Sequence, residues 1–280
     1  MDKVFFVGGG PGGVAAFKSL QTVWDSIEVV TDDDELHQIL RGDDTLVSSI
    51  NEVSCQQGVM AGYLGLLPKE FVDAHDILNV HYSLLPEYRG LHSVVWAMLN
   101  LEKQLGYTVH VVNEHMDDGP IAFQESLEYK GETSWEVMKK LNALVEQNLG
   151  GNVCAYFEGQ REVVEQDKRF ATWVPRRNLN SCLIDYSWGV RRLKALFKAL
   201  VRPYPLPALM IRGKRYEVSC GEILSRTYYC DLGRVVNIDD DGVWIKCEDS
   251  LLILKELLDD SGRAVDPANV IHLGMRLNSN

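Results

Sequence analysis

The chain is expected to fold as an α/β protein, with a Rossmann-like, mostly parallel sheet between flanking helices and a small β-rich C-terminal domain. Three observations predict this class. The first half alternates short apolar runs with segments of helical periodicity, as parallel strands and their crossovers require. Val4–Val7 is a continuous apolar run leading directly into glycines, the mark of a strand buried on both faces. After about residue 170 that alternation gives way to short β-like runs separated by turn residues.

At 280 residues the chain has room for a full core and for two unequal domains, taken here as 1–180 and 181–280. Val4–Val7 is the first strand and Pro11–Leu20 the helix behind it. Further strands are expected at Ile27–Val30, Val59–Leu64, Ile77–Ser83 and Tyr107–Val112. Between the last two, Leu91–Leu101 carries Val94, Val95, Met98 and Leu99 at helical spacing. Trp135–Leu149 is an amphipathic helix, with Met138, Leu141, Leu144 and Val145 on one stripe. Arg169–Asn180 is polar and irregular, and Ser187–Leu200 reads as a basic amphipathic helix that Pro203, Pro205 and Pro207 prevent from continuing. The C-terminal strands fall at Leu209–Ile211, Arg215–Val218, Val243–Lys246 and Leu251–Lys255. Val243-Trp244-Ile245 and Leu251–Leu254 carry more large apolar side chains than so small a domain buries alone. Part of it is therefore expected to pack on the first domain or on a second subunit, as a symmetric homodimer.

Composition removes several function classes. A formal net charge of −12 argues against general affinity for DNA or RNA, because phosphate binding needs a basic field. No uncharged run approaches the length that crosses a bilayer, so no membrane partner is expected. The six cysteines form neither a CxxC pair nor a metal-like cluster, as in proteins of a reducing compartment. Met1-Asp2-Lys3 runs straight into the first strand without a signal-peptide pattern, and the expected location is the cytoplasm.

Two motifs compete for the chemistry. Gly8, Gly10 and Gly13 make a GxGxxG pattern between strand and helix, and Asp32 lies where a dinucleotide-binding unit places its ribose-binding acid. That reading gives a nicotinamide- or flavin-dependent oxidoreductase. The N–H groups of Gly9 and Gly10 would equally cradle the phosphate of another substrate, and a tight turn needs glycine in any case.

The second motif is Asn79-Val80-His81-Tyr82-Ser83-Leu84-Leu85-Pro86-Glu87-Tyr88-Arg89-Gly90. In a strand Asn79 and His81 project to the same face, at the carboxyl edge where open α/β sheets bind ligands. A polar turn, Asn113-Glu114-His115-Met116-Asp117-Asp118-Gly119-Pro120, follows the next expected strand, and a sheet can bring it alongside. An amide, an imidazole and a carboxylate around one cleft suit acyl transfer. The plain alternative is a capped strand end and a solvated turn.

Together these two segments resemble the folate-dependent formyltransferases, which include glycinamide ribonucleotide formyltransferase, methionyl-tRNA formyltransferase and the sugar N-formyltransferases. The family pattern Asn-x-His-x-Ser-Leu-Leu-Pro lands on Asn79, His81 and Ser83–Pro86, and the family acid on Asp117, two residues before Gly119. The resemblance is specific over 60–125. A weaker likeness over 183–218, through Ile184-Asp185-Tyr186, Arg202-Pro203 and Gly213-Lys214, resembles the C-terminal extension of the tRNA and sugar enzymes. The first loop is richer in glycine than is usual in those enzymes.

The resemblance implies N10-formyltetrahydrofolate as co-substrate, with neither metal nor nicotinamide. Asn79 and protonated His81 would hold the oxyanion, while Asp117 raises the His81 pKa and takes the amine proton. Leu66, Leu67, Pro68 and Ser83 would bind the folate, and Gly9 and Gly10 the acceptor. Three acceptors compete. Arg191, Lys194, Lys198 and Arg202 offer a basic face to methionyl-tRNA, or simply a solvated or inter-domain face. The long C-terminal region disfavours glycinamide ribonucleotide. The amine of a nucleotide-linked amino sugar fits the acidic balance and the two-part layout, and is the acceptor expected by elimination. A non-catalytic binding module is the remaining class.

Overall fold

Val4, Phe5, Phe6 and Val7 are all buried, which explains why the first strand shows no polar alternation and takes a central place in the sheet. The computed structural model of the chain describes residues 3–277. In chain order the elements are β1 (Val4–Gly8), α1 (Gly10–Gln21), β2 (Ile27–Val30), α2 (Asp34–Ile39), β3 (Thr45–Leu46), β4 (Gln57–Ala61), α3 (Lys69–Ala74), β5 (Asp76–His81) and β6 (Arg89–Gly90). There follow α4 (Ser93–Leu99), β7 (Gln104–Val111), β8 (Ile121–Glu128), α5 (Ser134–Phe157) and β9 (Trp173–Val174). The last part holds α6 (Val190–Ala199), β10 (Ala208–Ile211), β11 (Lys214–Leu224), β12 (Val235–Asp239), β13 (Gly242–Lys246), β14 (Leu251–Leu258) and β15 (Ala264–Val265).

The chain divides into two compact units, one of residues 1–94, 104–129 and 136–175, the other of 95–103, 130–135 and 176–280. In the first, seven strands run in the order β3-β2-β1-β4-β5-β7-β8. The pairs from β3 to β5 are parallel, while β7 is antiparallel to β5 and β8 to β7. The expected mostly parallel sheet is therefore mixed at one edge. Its core joins Phe6, Val29, Val59, Leu78 and Val109 to Phe17 and Leu20 of α1 and to Val145, Leu149 and Val153 of α5.

Several boundaries differ from expectation for local reasons. β4 stops at Ala61 and β5 at His81, each earlier than the apolar pattern predicts, because the chain turns there into the loops that carry polar groups. Strand β8 was not expected. Helix α5 does not stop at Leu149 but runs through Gly150-Gly151 to Phe157. A Cβ on Gly150 would lie 2.3 Å from the Ser19 carbonyl oxygen, and the Gly150 N–H donates to Ser19 Oγ at 2.9 Å. The glycine admits α1 rather than ending α5.

In the second unit β10-β11-β14-β13-β12 form an antiparallel sheet with β15 on β14. Val243, Ile245 and Leu251–Leu254 are all buried within the chain, beneath α6 on β11 and the short turn at Pro267–Asn269 on β13 and β14. Of the apolar residues that pointed to packing beyond this sheet, Trp244 alone stays half-buried. The expected basic face also shrinks: α6 ends at Ala199, and Arg202 lies beyond it, paired with Glu217 at 2.8 Å. Among the described residues no helix is long and apolar enough to cross a membrane.

Candidate active site

The carboxyl end of β5 gathers the polar groups of the first unit. In the antiparallel register Asn79 lies opposite His110 and His81 opposite Thr108, so Asn79, His81 and His110 share one face. The turn from β7 to β8 then brings Asp117 over them. Asn79 Nδ2 donates to Asp117 Oδ1 at 3.4 Å, and His81 Nδ1 lies 3.5 Å from Asp117 Oδ2. The three residues expected from the sequence meet at one point.

Each is held by its own turn. Asp117 sits at φ 52°, a left-handed conformation that aspartate tolerates and that turns its carboxylate back towards β5. Its Oδ2 accepts the Gly90 N–H at 2.8 Å. Asp118 points elsewhere and pairs with Arg89 at 2.5 Å and Lys168 at 3.5 Å, so the two adjacent acids have separate partners. His81 Nε2 lies 2.9 Å from the Tyr88 carbonyl, which the segment after β5 carries back over the ring. Ser83 is taken up by that same turn, for its hydroxyl donates to the Glu87 carbonyl at 2.7 Å and its carbonyl accepts from Thr108 Oγ1 at 2.7 Å. It does not present a free hydroxyl to a folate.

Burial and charge oppose each other at this centre. Burial would raise the Asp117 pKa, but His110, the charge of His81 and the Gly90 N–H outweigh it and hold the carboxyl at about 2. For His81 burial prevails and lowers the pKa from its ordinary value, against Asp117 and the Tyr88 carbonyl, which raise it. The expectation of a raised His81 pKa is thus reversed. Both ring nitrogens nevertheless face acceptors, an arrangement that only the imidazolium satisfies in full. The resting ring is neutral, in a setting built to receive a proton.

His110 is the residue that the sequence reading missed. Its Nδ1 lies 2.9 Å from the Val111 carbonyl, and its Nε2 lies 3.1 Å from Asn79 Nδ2 and 3.5 Å from Asp117 Oδ1. With Nδ1–H donating to Val111, Nε2 accepts from the Asn79 amide. The available signal was a lone histidine in an otherwise apolar strand.

The two loops singled out for ligands leave the sheet at the same edge, since Gly8 pairs with Ala61 and Ala61 with Val80. After β4, Leu64 is 74% and Leu66 79% exposed, an apolar surface beside the polar cluster that suits a flat heterocycle. Leu67 instead packs against Phe5, Val7, Phe71 and Ile77. Pro68 is exposed at the N-cap of α3. In the glycine loop Asp33, not the exposed Asp32, is the relevant acid. Its carboxylate accepts the Gly10 N–H at 2.6 Å while also capping α2 through Glu35 and Leu36. A phosphate at Gly10 would have to displace this anion, which weighs against both the phosphate-cradle and the dinucleotide readings.

Residues 17–149 match the formyl transferase domain, and residues 178–272 match the formyl transferase C-terminal domain. Methionyl-tRNA formyltransferase of Acetivibrio thermocellus is 27% identical over 221 residues, 78% of this chain and 71% of that protein. The enzyme of the same name from Thermosipho melanesiensis is 31% identical over 197 residues, 68% of this chain and 62% of that protein. Among solved structures, the N-formyltransferase of Helicobacter canadensis, in complex with folinic acid and dTDP-3-aminofucose, superposes with a TM-score of 0.71 at 15% identity. That likeness covers 91% of this chain and 99% of the other. With both family domains in sequence over most of its length, the chain belongs to the formyl transferase family of enzymes.

Proposed function

We propose that the protein transfers the formyl group of N10-formyltetrahydrofolate to the amine of a nucleotide-linked amino sugar, in its first unit, with Asn79, His81 and Asp117 as the catalytic residues. One observation carries this reading: an amide donor, a buried imidazole and a carboxylate converge at the carboxyl edge of the sheet, beside an exposed apolar loop. The folate supplies an activated formyl carbon. As the amine attacks, the carbonyl pair moves onto oxygen, and Asn79 serves the developing charge by turning to it the N–H that it now gives to Asp117 at 3.4 Å, keeping the other on His110. His81 takes up the amine proton, directly or through water, and its new charge is held by Asp117. The C–N10 bond then breaks and N10 takes that proton from the imidazolium, directly or through water, which leaves the N-formyl product, tetrahydrofolate and neutral His81. Leu64 and Leu66 fit the apolar heterocycle, and the backbone at Leu67 and Pro68 its polar edge.

The sugar reading is supported by the acidic net charge and by the fold shared with the Helicobacter canadensis enzyme along that enzyme's whole length. The names of the curated relatives favour methionyl-tRNA instead. Among the described residues no disulfide forms, in keeping with a cytoplasmic site of action. Incubation with N10-formyltetrahydrofolate and a panel of dTDP- and UDP-linked amino sugars, with methionyl-tRNA alongside, tests both points. A mass gain of one formyl group on a sugar nucleotide is expected. Transfer to methionyl-tRNA alone would replace the acceptor, and transfer to nothing would remove the reading.

A further inference from the structure

Around the turn that carries Asp117 lies a second polar network that the chemistry above does not use. Arg89 is 2% exposed, and its guanidinium is completely enclosed by three partners. Nε and Nη2 donate to Gln166 Oε1 at 3.2 and 2.7 Å, Nη1 meets Asp118 at 2.5 Å, and the guanidinium carbon stands 5.0 Å above the Trp173 ring. Gln166, itself 6% exposed, turns its amide nitrogen the other way and donates to the carbonyls of both Asp117 and Gly119 at 2.8 Å. Arginine has only donors, so the Gln166 oxygen must face Arg89 and both amide hydrogens must face the Asp117 turn. The orientation of one side chain is thereby dictated by the other. The backbone of Arg89 and Gly90 is fixed in turn by pairing with Trp173 and Val174, and the Gly90 N–H is a donor to Asp117.

We infer that Gln166, oriented by Arg89, is a positioning residue that clamps the 117–119 turn, keeps Asp117 in its left-handed conformation and so sets the Asp117 carboxylate against Asn79 and His81. The inference rests on the proposed formyl-transfer reading for its effect on turnover, but not for its effect on geometry. Two donors on one amide span the turn on either side of Asp118, and Arg89 holds the side chain of that residue. The turn has no freedom to rotate Asp117 towards solvent. In enzymes a displacement of about 1 Å in a reacting group can cost about 10²-fold in rate.

Two variants separate a positioning role from a merely structural one. Gln166→Met removes both donors, whereas Gln166→Glu keeps a partner for Arg89 and loses only the donors to the turn. In each, turnover is expected to fall about 10-fold or more while the KM for folate and acceptor stays within about three-fold. Arg89→Lys keeps a charge for Asp118 but not the forked grip on Gln166, and an intermediate loss is expected. The second readout needs no substrate: the titration of His81, followed by NMR of nitrogen-labelled histidine. The groups around that ring are Asp117, His110 and the Tyr88 carbonyl, with Arg89, Asp118 and Lys168 behind the turn. In Gln166→Met the His81 midpoint is expected to move down, because its nearest anion is no longer held in place. A folded variant with wild-type turnover and an unmoved His81 midpoint would overturn the inference, as would failure of both Gln166 variants to fold, which would make the network a folding element only. If instead the wild-type chain forms no formyl product while the His81 midpoint still shifts, the functional reading fails and the positioning role stands.

Discussion

His81 has an acceptor at each ring nitrogen and yet a pKa held low by burial, so its protonation state decides when the site is ready. The neutral ring is the form that accepts a proton from the amine. Formyl transfer is therefore expected to decline in acid as His81 charges, with a midpoint below the ordinary value of 6.5. A pH profile of kcat/KM checks this, and a limb centred above 6.5 would contradict the assignment. His81→Ala should fold and lose most turnover together with the acid limb. Asn79→Ala is expected to lose about 10²–10³ in rate if the amide serves the oxyanion, read from kcat at saturating substrates. Asp117 makes a prediction about stability. Its carboxyl titrates at about 2 rather than at 3.8, so the unfolded chain binds its proton first. The stabilisation is complete above the unfolded value and is lost as the pH falls through the folded one, a contribution on the order of 2 kcal/mol. Urea unfolding of wild type and Asp117→Asn at pH 7 and pH 3 should show the gap between them narrowing in acid; a constant gap would sink the assignment.

At the scale of elements, the glycines around the first loop do different work. Gly10 stands at φ 65° with open space where a Cβ would point, so Gly10→Ala meets only backbone strain, about 1–2 kcal/mol. Gly62 combines φ 69° with a Gly9 carbonyl oxygen 2.1 Å from its Cβ position, so Gly62→Ala must also push the first loop aside. Thermal unfolding is expected to rank Gly62→Ala well below Gly10→Ala, with the turnover of Gly10→Ala close to wild type. Equal melting points would contradict the packing argument. The same comparison shows what was legible in the sequence. Asn79 and His81 could be placed on one face because a strand has a period of two, and Asp117 because a motif carried it there. His110 escaped notice because its partner relation to Asn79 comes from antiparallel register, which no local pattern encodes. Asp33 was missed by one position, since strand ends are read no more finely than that and only the cap of α2 distinguishes it from Asp32. Helix α5 was cut short because Gly150-Gly151 looks like a terminator until α1 is seen against it. Gln166 lay in a polar stretch with no periodicity, and its role depends entirely on contacts distant in sequence.

For the molecule as a whole, the net charge of −12 and the pairing of Arg202 with Glu217 leave Arg191, Lys194 and Lys198 exposed on α6. A large polyanionic acceptor bound through many phosphates would lose affinity by about 10³ or more between 50 and 200 mM salt. A sugar nucleotide, with few charges, should keep its KM within about three-fold over that range. Steady-state kinetics at the two salt concentrations separates the cases, and a steep loss would return the acceptor to methionyl-tRNA. Beneath the question of acceptor lies the claim that Asn79, His81 and Asp117 form a formyl-transfer centre. Single-turnover transfer from N10-formyltetrahydrofolate, followed by mass spectrometry of the acceptor panel in wild type and Asp117→Asn, tests it most directly. Wild type should place one formyl group on an amine, and Asp117→Asn, folded and able to bind the folate, should be slower by at least about 10². Wild-type rates in Asp117→Asn would contradict the account, whichever amine proves to be the acceptor.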